Sequence, residues 1–154
     1  REKYDMFCCS GILFNHESSL RSKEFVTKKI IDIAKKIKLN KKIKLQLGNT
    51  NIYRDWGWAP EYVKAFWLML QRKKPVDLIL GTGKTHSIRE FVEEVFRLQK
   101  ISKKNITANV KKFKRTLDIR GYKADIKLTK KKIKWHPKTT FKQIISKMVK
   151  DELY

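Results

Sequence analysis

Residues 78–90 read LILGTGKTHSIRE. An apolar run (Val76, Leu78, Ile79, Leu80) leads into Gly-x-Gly-Lys-Thr, and Ser87 opens a helix. That is the strand, glycine turn and helix order by which a P-loop holds nucleotide phosphates. The spacing argues against a P-loop here. A Walker loop needs four residues between its glycines, so that successive N–H groups wrap a phosphate. Gly81 lies only two positions before Gly83, and five positions before Gly83 is Leu78, inside the strand. Ser87-x-x-Glu90 is also a capping box, whose side chains occupy the helix N–H groups a phosphate would want. The stretch reads as a strand-to-helix turn, and the same rhythm runs along the chain.

The apolar run 5–14, DMFCCSGILF, has strand length and the continuity of a parallel strand buried on both faces. From about 23 to 38, Val26, Ile30, Ile33, Ala34 and Ile37 recur at helical spacing. KIKLQL (42–47) alternates as a half-exposed strand does. A helix near 60–73 starts with Pro60 in its first turn and carries Tyr62, Val63, Phe66, Trp67 and Leu70. The capped helix 88–99 has a stripe of Ile88, Phe91, Val92 and Val95. Residues 101–112 hold one short strand, from Ile106 to Val110, and Thr140 caps a last helix with Phe141, Ile144, Ile145 and Met148 on one side. Strands alternating with helices give the α/β class, with too few strands for a whole sheet.

The 154 residues suffice for one ordinary domain or part of a larger one, and 41% hydrophobic residues supply a core. The formal net charge is +23, and only eight of the 38 basic residues are arginine, leaving thirty lysines. Phosphate sites favour arginine for its planar fork, so a lysine excess strewn between Ile and Leu positions reads first as a solvated face and second as anion attraction. Neither a signal peptide nor a run of about eighteen apolar residues is present, which reads as a cytoplasmic chain that does not enter a membrane. Cys8 and Cys9 read as buried free thiols, and no Cys/His/Asp/Glu group has metal-ligand spacing. Trp56, Trp67 and Trp135 read as core, His86 as part of a turn and His136 as a surface residue.

Longer motifs give a sharper signal. GNTNIYRDWGWAPEYVKAFWLMLQ (48–71), followed by LGTGKTHSIREFVEEVF (80–96), resembles the GDP-mannose 4,6-dehydratase family. That family carries G-N-x-x-x-x-R-D-W-G and T-G-x-x-H-S-hydrophobic-R-E-F segments in this order. GILFNHES (11–18), FVTKKI (25–30), Arg115 to Asp118, Ala124-Asp125 and KWHP (134–137) also stand where the family has its G-I-L-F-N-H-E-S-P, F-V-T-R-K-I, R-P-x-E, G-D and N-W-x-P. The resemblance covers nearly the whole chain and is weakest at 101–112.

The resemblance implies that residues 1–154 form the C-terminal portion of an extended NAD(P)-binding Rossmann fold with its smaller α/β nucleotide-sugar-binding domain. It implies NADP as cofactor and GDP-mannose as substrate, converted to GDP-4-keto-6-deoxymannose, in an intact enzyme that is a dimer or tetramer. The family's Tyr-x-x-x-Lys pair, catalytic Thr and Glu, and glycine-rich turn precede the position matching Arg1. The chain by itself is therefore expected to hold no catalytic residue and to be inactive.

Carried over position by position, His16 and Arg21 would contact NADP, and Asn15, Lys29, Arg54, Arg115 and Asp118 the substrate. Arg54 and Arg115 would converge on the diphosphate, with Asp118 near the ribose. Bland readings stay open: a satisfied strand-end histidine for His16, a solvated helix lysine for Lys29, and a surface salt bridge with Asp55 for Arg54. Departures also occur. Ser19-Leu20 stand for Pro-Arg, Lys28 for Arg, Trp58 for His, Glu61 for Asp, Thr116 for Pro, Asp118 for Glu and Ala124 for Gly. The rival readings are a dehydratase or epimerase of another nucleotide sugar, and a basic nucleic-acid-binding module. The charge alone favours the latter, yet the chain has no helix-turn-helix, zinc-finger, RNP or KH pattern, so specific nucleic-acid binding is not expected.

Overall fold

The computed structural model describes residues 1–113 and 119–152. Its strands are β1 (Gly11–Leu13), β2 (Asn15–Glu17), β3 (Leu45–Gln46), β4 (Tyr53–Arg54), β5 (Trp56–Trp58), β6 (Leu78–Leu80), β7 (His86–Ser87) and β8 (Ile106–Thr107). Its α-helices are α1 (Val26–Leu39), α2 (Ala59–Leu70), α3 (Ile88–Gln99), α4 (Lys127–Ile133) and α5 (Phe141–Lys150). The pairs β1–β6, β2–β5 and β3–β8 are parallel, and β4–β7 is antiparallel. Parallel partners far apart in sequence need helical crossovers, which α1, α2 and α3 supply.

Two hydrophobic clusters divide the work. In the larger, Ile30, Ile31, Ala34 and Ile37 of α1 meet Phe91, Val92, Val95 and Phe96 of α3 and Ile144, Ile145 and Met148 of α5, with Trp56 and Trp58 between them. In the smaller, Tyr62, Ala65 and Met69 of α2 pack on Leu78 and Leu80 of β6 and on Ile133 and Trp135. Each such side chain contributes about 1.5–3 kcal/mol on burial. Both late helix starts carry the anticipated caps. Ser87 Oγ accepts from Glu90 N while the Glu90 carboxylate accepts from Ser87 N, and Thr140 and Gln143 repeat the arrangement.

The glycine turn of 78–90 does hold an anion, but one from within the chain. Asp55, between β4 and β5, is fully buried (0% exposed). Its Oδ1 accepts from Thr82 N (2.8 Å) and Thr82 Oγ1 (2.5 Å), and its Oδ2 accepts from Gly83 N (2.8 Å) and Ala124 N (3.1 Å). Gly83 sits at φ +73, a backbone region that favours glycine. A salt bridge between Asp55 and Arg54 is thereby ruled out, because the carboxylate is spent on the turn.

Several expectations need correction. The run 5–14 yields only the three-residue β1, and Ile12 is 56% exposed, because β6 is its one strand partner among the described residues. Cys8 is exposed and Cys9 only part-buried, its thiol near Val76 N and Met69 O. On α2 the buried side is Tyr62, Ala65 and Met69, while Val63, Phe66, Trp67 and Leu70 form an outward stripe, leaving Trp67 59% exposed. The helix is apolar on more than one face, so periodicity alone does not select the buried one. Trp56 and Trp135 are core, as expected, and His136 is exposed. His86 belongs to β7, with its ring stacked 3.9 Å from Phe141. Helix α4 was not anticipated. KLTKKKI has too few apolar positions to show a period, and it is held by Ile133 and by Thr129 Oγ1 donating to Ile79 O at 2.6 Å.

Asp55→Ala strips the acceptor from four donors. A loss of about 3 kcal/mol in unfolding free energy is expected by urea titration, since buried donors left unpaired bear their full desolvation penalty. A loss below about 1 kcal/mol would mean the turn is held by other contacts.

Candidate functional site

The site is a cleft of about 730 Å³ between the start of α1, β2, β4 and the segments around Gly48 and Phe113. Its position follows from the topology: β2 continues from the carboxyl end of β1, and open parallel sheets bind ligands beyond the carboxyl ends of their strands. Side chains alternate along β2, so Asn15 and Glu17 face the cleft. His16 is not among the cleft's lining residues. Its ring lies 5.3 Å from that of Tyr62 on α2, and its Nδ1 is 3.1 Å from Phe14 O. Gly57 makes that face possible, since a Cβ there would come within 2.3 Å of the Tyr62 ring.

Of the residues expected to bind ligand, Asn15, Arg21, Lys29 and Arg54 are brought together in this cleft. Arg115 and Asp118 lie outside the described residues, and with them the expected convergence of Arg54 and Arg115. Each of the three cations rests on an aromatic ring: Arg21 Cζ lies 3.5 Å from the Phe25 centroid, Lys29 Nζ 4.2 Å from Phe113, and Arg54 Cζ 5.2 Å from Tyr122. A cation over a ring face is attracted by the ring quadrupole, which restrains the side chain without consuming all of its donors. Arg54 is held further by Nη1, which donates to Tyr53 O (2.8 Å) and Ile119 O (3.0 Å). Lys28, one turn position away from Lys29, is otherwise engaged. Its Nζ donates to Ser19 O at 3.2 Å and lies within 4 Å of Asp32 and Asp151.

Glu17 was not singled out from the sequence, although it stands inside the F-N-H-E-S motif. It is 1% exposed, and Thr27 Oγ1 donates to its Oε2 at 2.8 Å. Arg21 Nε is 3.4 Å from the same oxygen, a charge contact without hydrogen-bond geometry that leaves the buried Nε–H unsatisfied. Burial pushes the Glu17 carboxyl up to about 7, with Arg21 and the Thr27 hydroxyl pulling it back. Burial likewise raises the Tyr62 phenol well above its ordinary range, aided by the nearby carboxylates of Asp55 and Glu61. The aromatic walls Phe25, Phe113 and Tyr122 were also missed, because their meeting depends on distant segments.

A second cavity, of about 790 Å³, lies between α3 and residues 137–142 around the stacked His86 and Phe141 rings. It contains none of the candidate residues, and its lining mixes Glu90, Glu93 and Glu94 with four lysines and Arg97. No group of three metal-ligating side chains occurs among the described residues, and no helix there is long and apolar enough to cross a membrane.

The family profile described as GDP-mannose 4,6 dehydratase matches residues 1–148. The chain belongs to that family. It is 39% identical over 153 residues to GDP-mannose 4,6 dehydratase 1 of Arabidopsis thaliana, covering 99% of this chain and 42% of the relative. It is 52% identical over 96 residues to the GDP-mannose 4,6-dehydratase of Sinorhizobium fredii, covering 62% of this chain and 27% of the relative. The chain therefore spans less than half the length of these relatives. The solved dTDP-glucose 4,6-dehydratase of Bacillus anthracis, in complex with NAD, superposes with TM-score 0.82 at 22% identity, covering 97% of this chain and 45% of that one. The α/β fold is thus that of part of a nucleotide-sugar dehydratase. The motifs that carried the family resemblance identified the family correctly.

The raised Glu17 carboxyl has a consequence for stability. The folded state holds this proton more tightly than the unfolded chain, whose carboxyl has the ordinary value of 4.5. The contribution is therefore full below about pH 4.5 and declines as pH rises to about 7. Relative to Glu17→Gln, the wild-type chain should lose roughly 3 kcal/mol between those limits, since each tenfold difference in proton affinity is worth about 1.4 kcal/mol. Urea midpoints of both proteins at each pH check this, and parallel behaviour would contradict it.

Proposed function

We propose that this chain is the nucleotide-sugar-binding portion of a GDP-mannose 4,6-dehydratase, a cytoplasmic NADP-dependent lyase that converts GDP-mannose to GDP-4-keto-6-deoxymannose. The observation that carries the reading is the gathering of Arg21, Lys29 and Arg54 in one cleft, each laid on an aromatic ring. Most of the thirty lysines are scattered over the outside, whereas two of the eight arginines stand here. Planar guanidinium forks match the oxygens of a diphosphate, and aromatic walls suit a base or sugar face.

In this reading Arg54 anchors the diphosphate. Its carbonyl contacts fix one nitrogen and leave the rest of the fork to the ligand. Lys29 adds charge from α1, and Asn15 offers an amide to a sugar hydroxyl. Arg115 and Asp118 are assigned to the diphosphate and ribose on the motif alone. A nicotinamide cofactor supplies hydride transfer at C4 and back to C6 when bound. His16 and Arg21 are assigned to it on the motif, with Arg21 lining the cleft and the His16 ring facing Tyr62 outside it. Holding the diphosphate and sugar in one orientation is the chain's own contribution, since the C5 proton that a C4 ketone acidifies is removed only where a base can reach it. The intact enzyme is assigned as a dimer or tetramer.

Calorimetric titration tests this. GDP-mannose should bind the chain, and Arg54→Ala should weaken binding about 10- to 100-fold, as the loss of a charged hydrogen-bonding partner does. The exposed-helix variant Lys38→Ala should bind as wild type. Unchanged affinity in Arg54→Ala removes Arg54 from the site. Tighter binding of duplex DNA than of GDP-mannose at physiological salt would favour the nucleic-acid reading instead.

A further inference from the structure

Glu17 is an odd neighbour for a site that binds anions. A carboxylate lining the floor of a cleft for diphosphate repels the ligand and neutralises the arginine beside it. Its surroundings do not satisfy it as a permanent charge either. Among the described residues only Thr27 Oγ1 gives it a short hydrogen bond, and Arg21 Nε stands at 3.4 Å without the geometry of one. Buried ionised carboxylates are stable when several donors surround them, as Asp55 shows with four. Glu17 lacks that shell.

Among the described residues, the charged group set against the Glu17 carboxyl is Arg21. On α1, Lys28 is taken up by Ser19 O, Asp32 and Asp151. From α5, Lys147 lies 5.5 Å from the Trp58 ring, beside β2's partner strand, and 3.4 Å from Glu152. Arg21 Cζ in turn lies 3.5 Å from the centre of the Phe25 ring. The first turn of α1, at Phe25 to Thr27, carries no capping side chain and lines the same cleft, so an anion there meets a favourable helix end as well.

We infer that Glu17 is a positioning residue that holds Arg21 when the cleft is empty and releases it by taking up a proton, so that an anionic ligand enters the cleft together with one H⁺. With Glu17 ionised the pair is neutral and offers little to an anion. With a proton from solvent on the Glu17 carboxyl, Arg21 is an uncompensated cation whose partly exposed guanidinium lines the cleft and can bond a phosphate oxygen. Thr27 Oγ1 keeps the neutral carboxyl in place. The inference rests on reading the cleft as an anion site, and deepens it by making occupancy depend on pH near neutrality.

Sulfate is the first probe, because it does not titrate in this range. The Glu17 side-chain carboxyl carbon, followed by NMR in the labelled chain, should titrate near pH 7, and saturating sulfate at constant ionic strength should raise its midpoint by about one pH unit. Sulfate affinity, read from the Arg21 Nε–H signal, should be about fivefold weaker at pH 8 than at pH 6. In Glu17→Gln it should be independent of pH. The carboxyl titration needs no variant, so it decides the matter even if Glu17→Gln fails to fold. A midpoint unmoved by sulfate, an Arg21 signal that ignores sulfate, or equal pH dependence in the variant would each overturn the inference. GDP-mannose is titrated separately. Failure of GDP-mannose to bind at either pH, with the sulfate linkage intact, would sink the substrate assignment and leave the proton linkage standing.

Discussion

The buried Asp55 carboxylate is the contact around which the two halves of the molecule are organised. It stands between β4 and β5 and takes donors from the turn after β6 and from Ala124. The turn belongs with the cluster under α2, whereas Trp56 and Trp58 on either side of Gly57 belong with the cluster of α1, α3 and α5. One charge with four donors therefore joins segments far apart in sequence, Asp55 and Ala124 being 69 positions apart. A buried charge tolerates no partial arrangement, because each missing donor leaves a desolvated lone pair. The position of Arg54, one residue earlier, inherits that rigidity.

The electrostatics of the chain work on two scales. At large scale the +23 charge is carried mostly by lysines on exposed positions, where water and salt screen them and pairs such as Lys103 with Glu93 add little. At the scale of the cleft, Arg21, Lys29 and Arg54 are positioned by ring faces and backbone carbonyls, and one of them shares its floor with an under-solvated carboxylate. Net charge says nothing about that arrangement. What distinguishes the cleft cations from the rest is orientation.

Legibility in the sequence followed the range of the forces involved. The capping box at Ser87 and the cap at Thr140 are contacts within three residues and formed as read, the latter completed to a box by Gln143. The alternation of KIKLQL placed Leu45 and Leu47 inside, although only Leu45–Gln46 pair as strand. Helix α2 was legible as a helix but not in its facing, since Trp67 and Tyr62 are equally plausible as core until the sheet is present. The run 5–14 failed as a long buried strand for the same reason: burial is decided by neighbours, and β1 has β6 alone among the described residues.

By itself the sequence determined the α/β class, the family and the absence of a P-loop, because these rest on local spacing and on motifs read in order. The tertiary structure alone decided that the glycine turn embraces Asp55, that His16 faces Tyr62 away from the cleft, and that Glu17 lies buried beside Arg21. Those outcomes depend on which distant segment arrives at a given backbone N–H or guanidinium. Hydrogen bonds and desolvation act over a few ångströms in space, and the one-dimensional pattern carries no record of that distance.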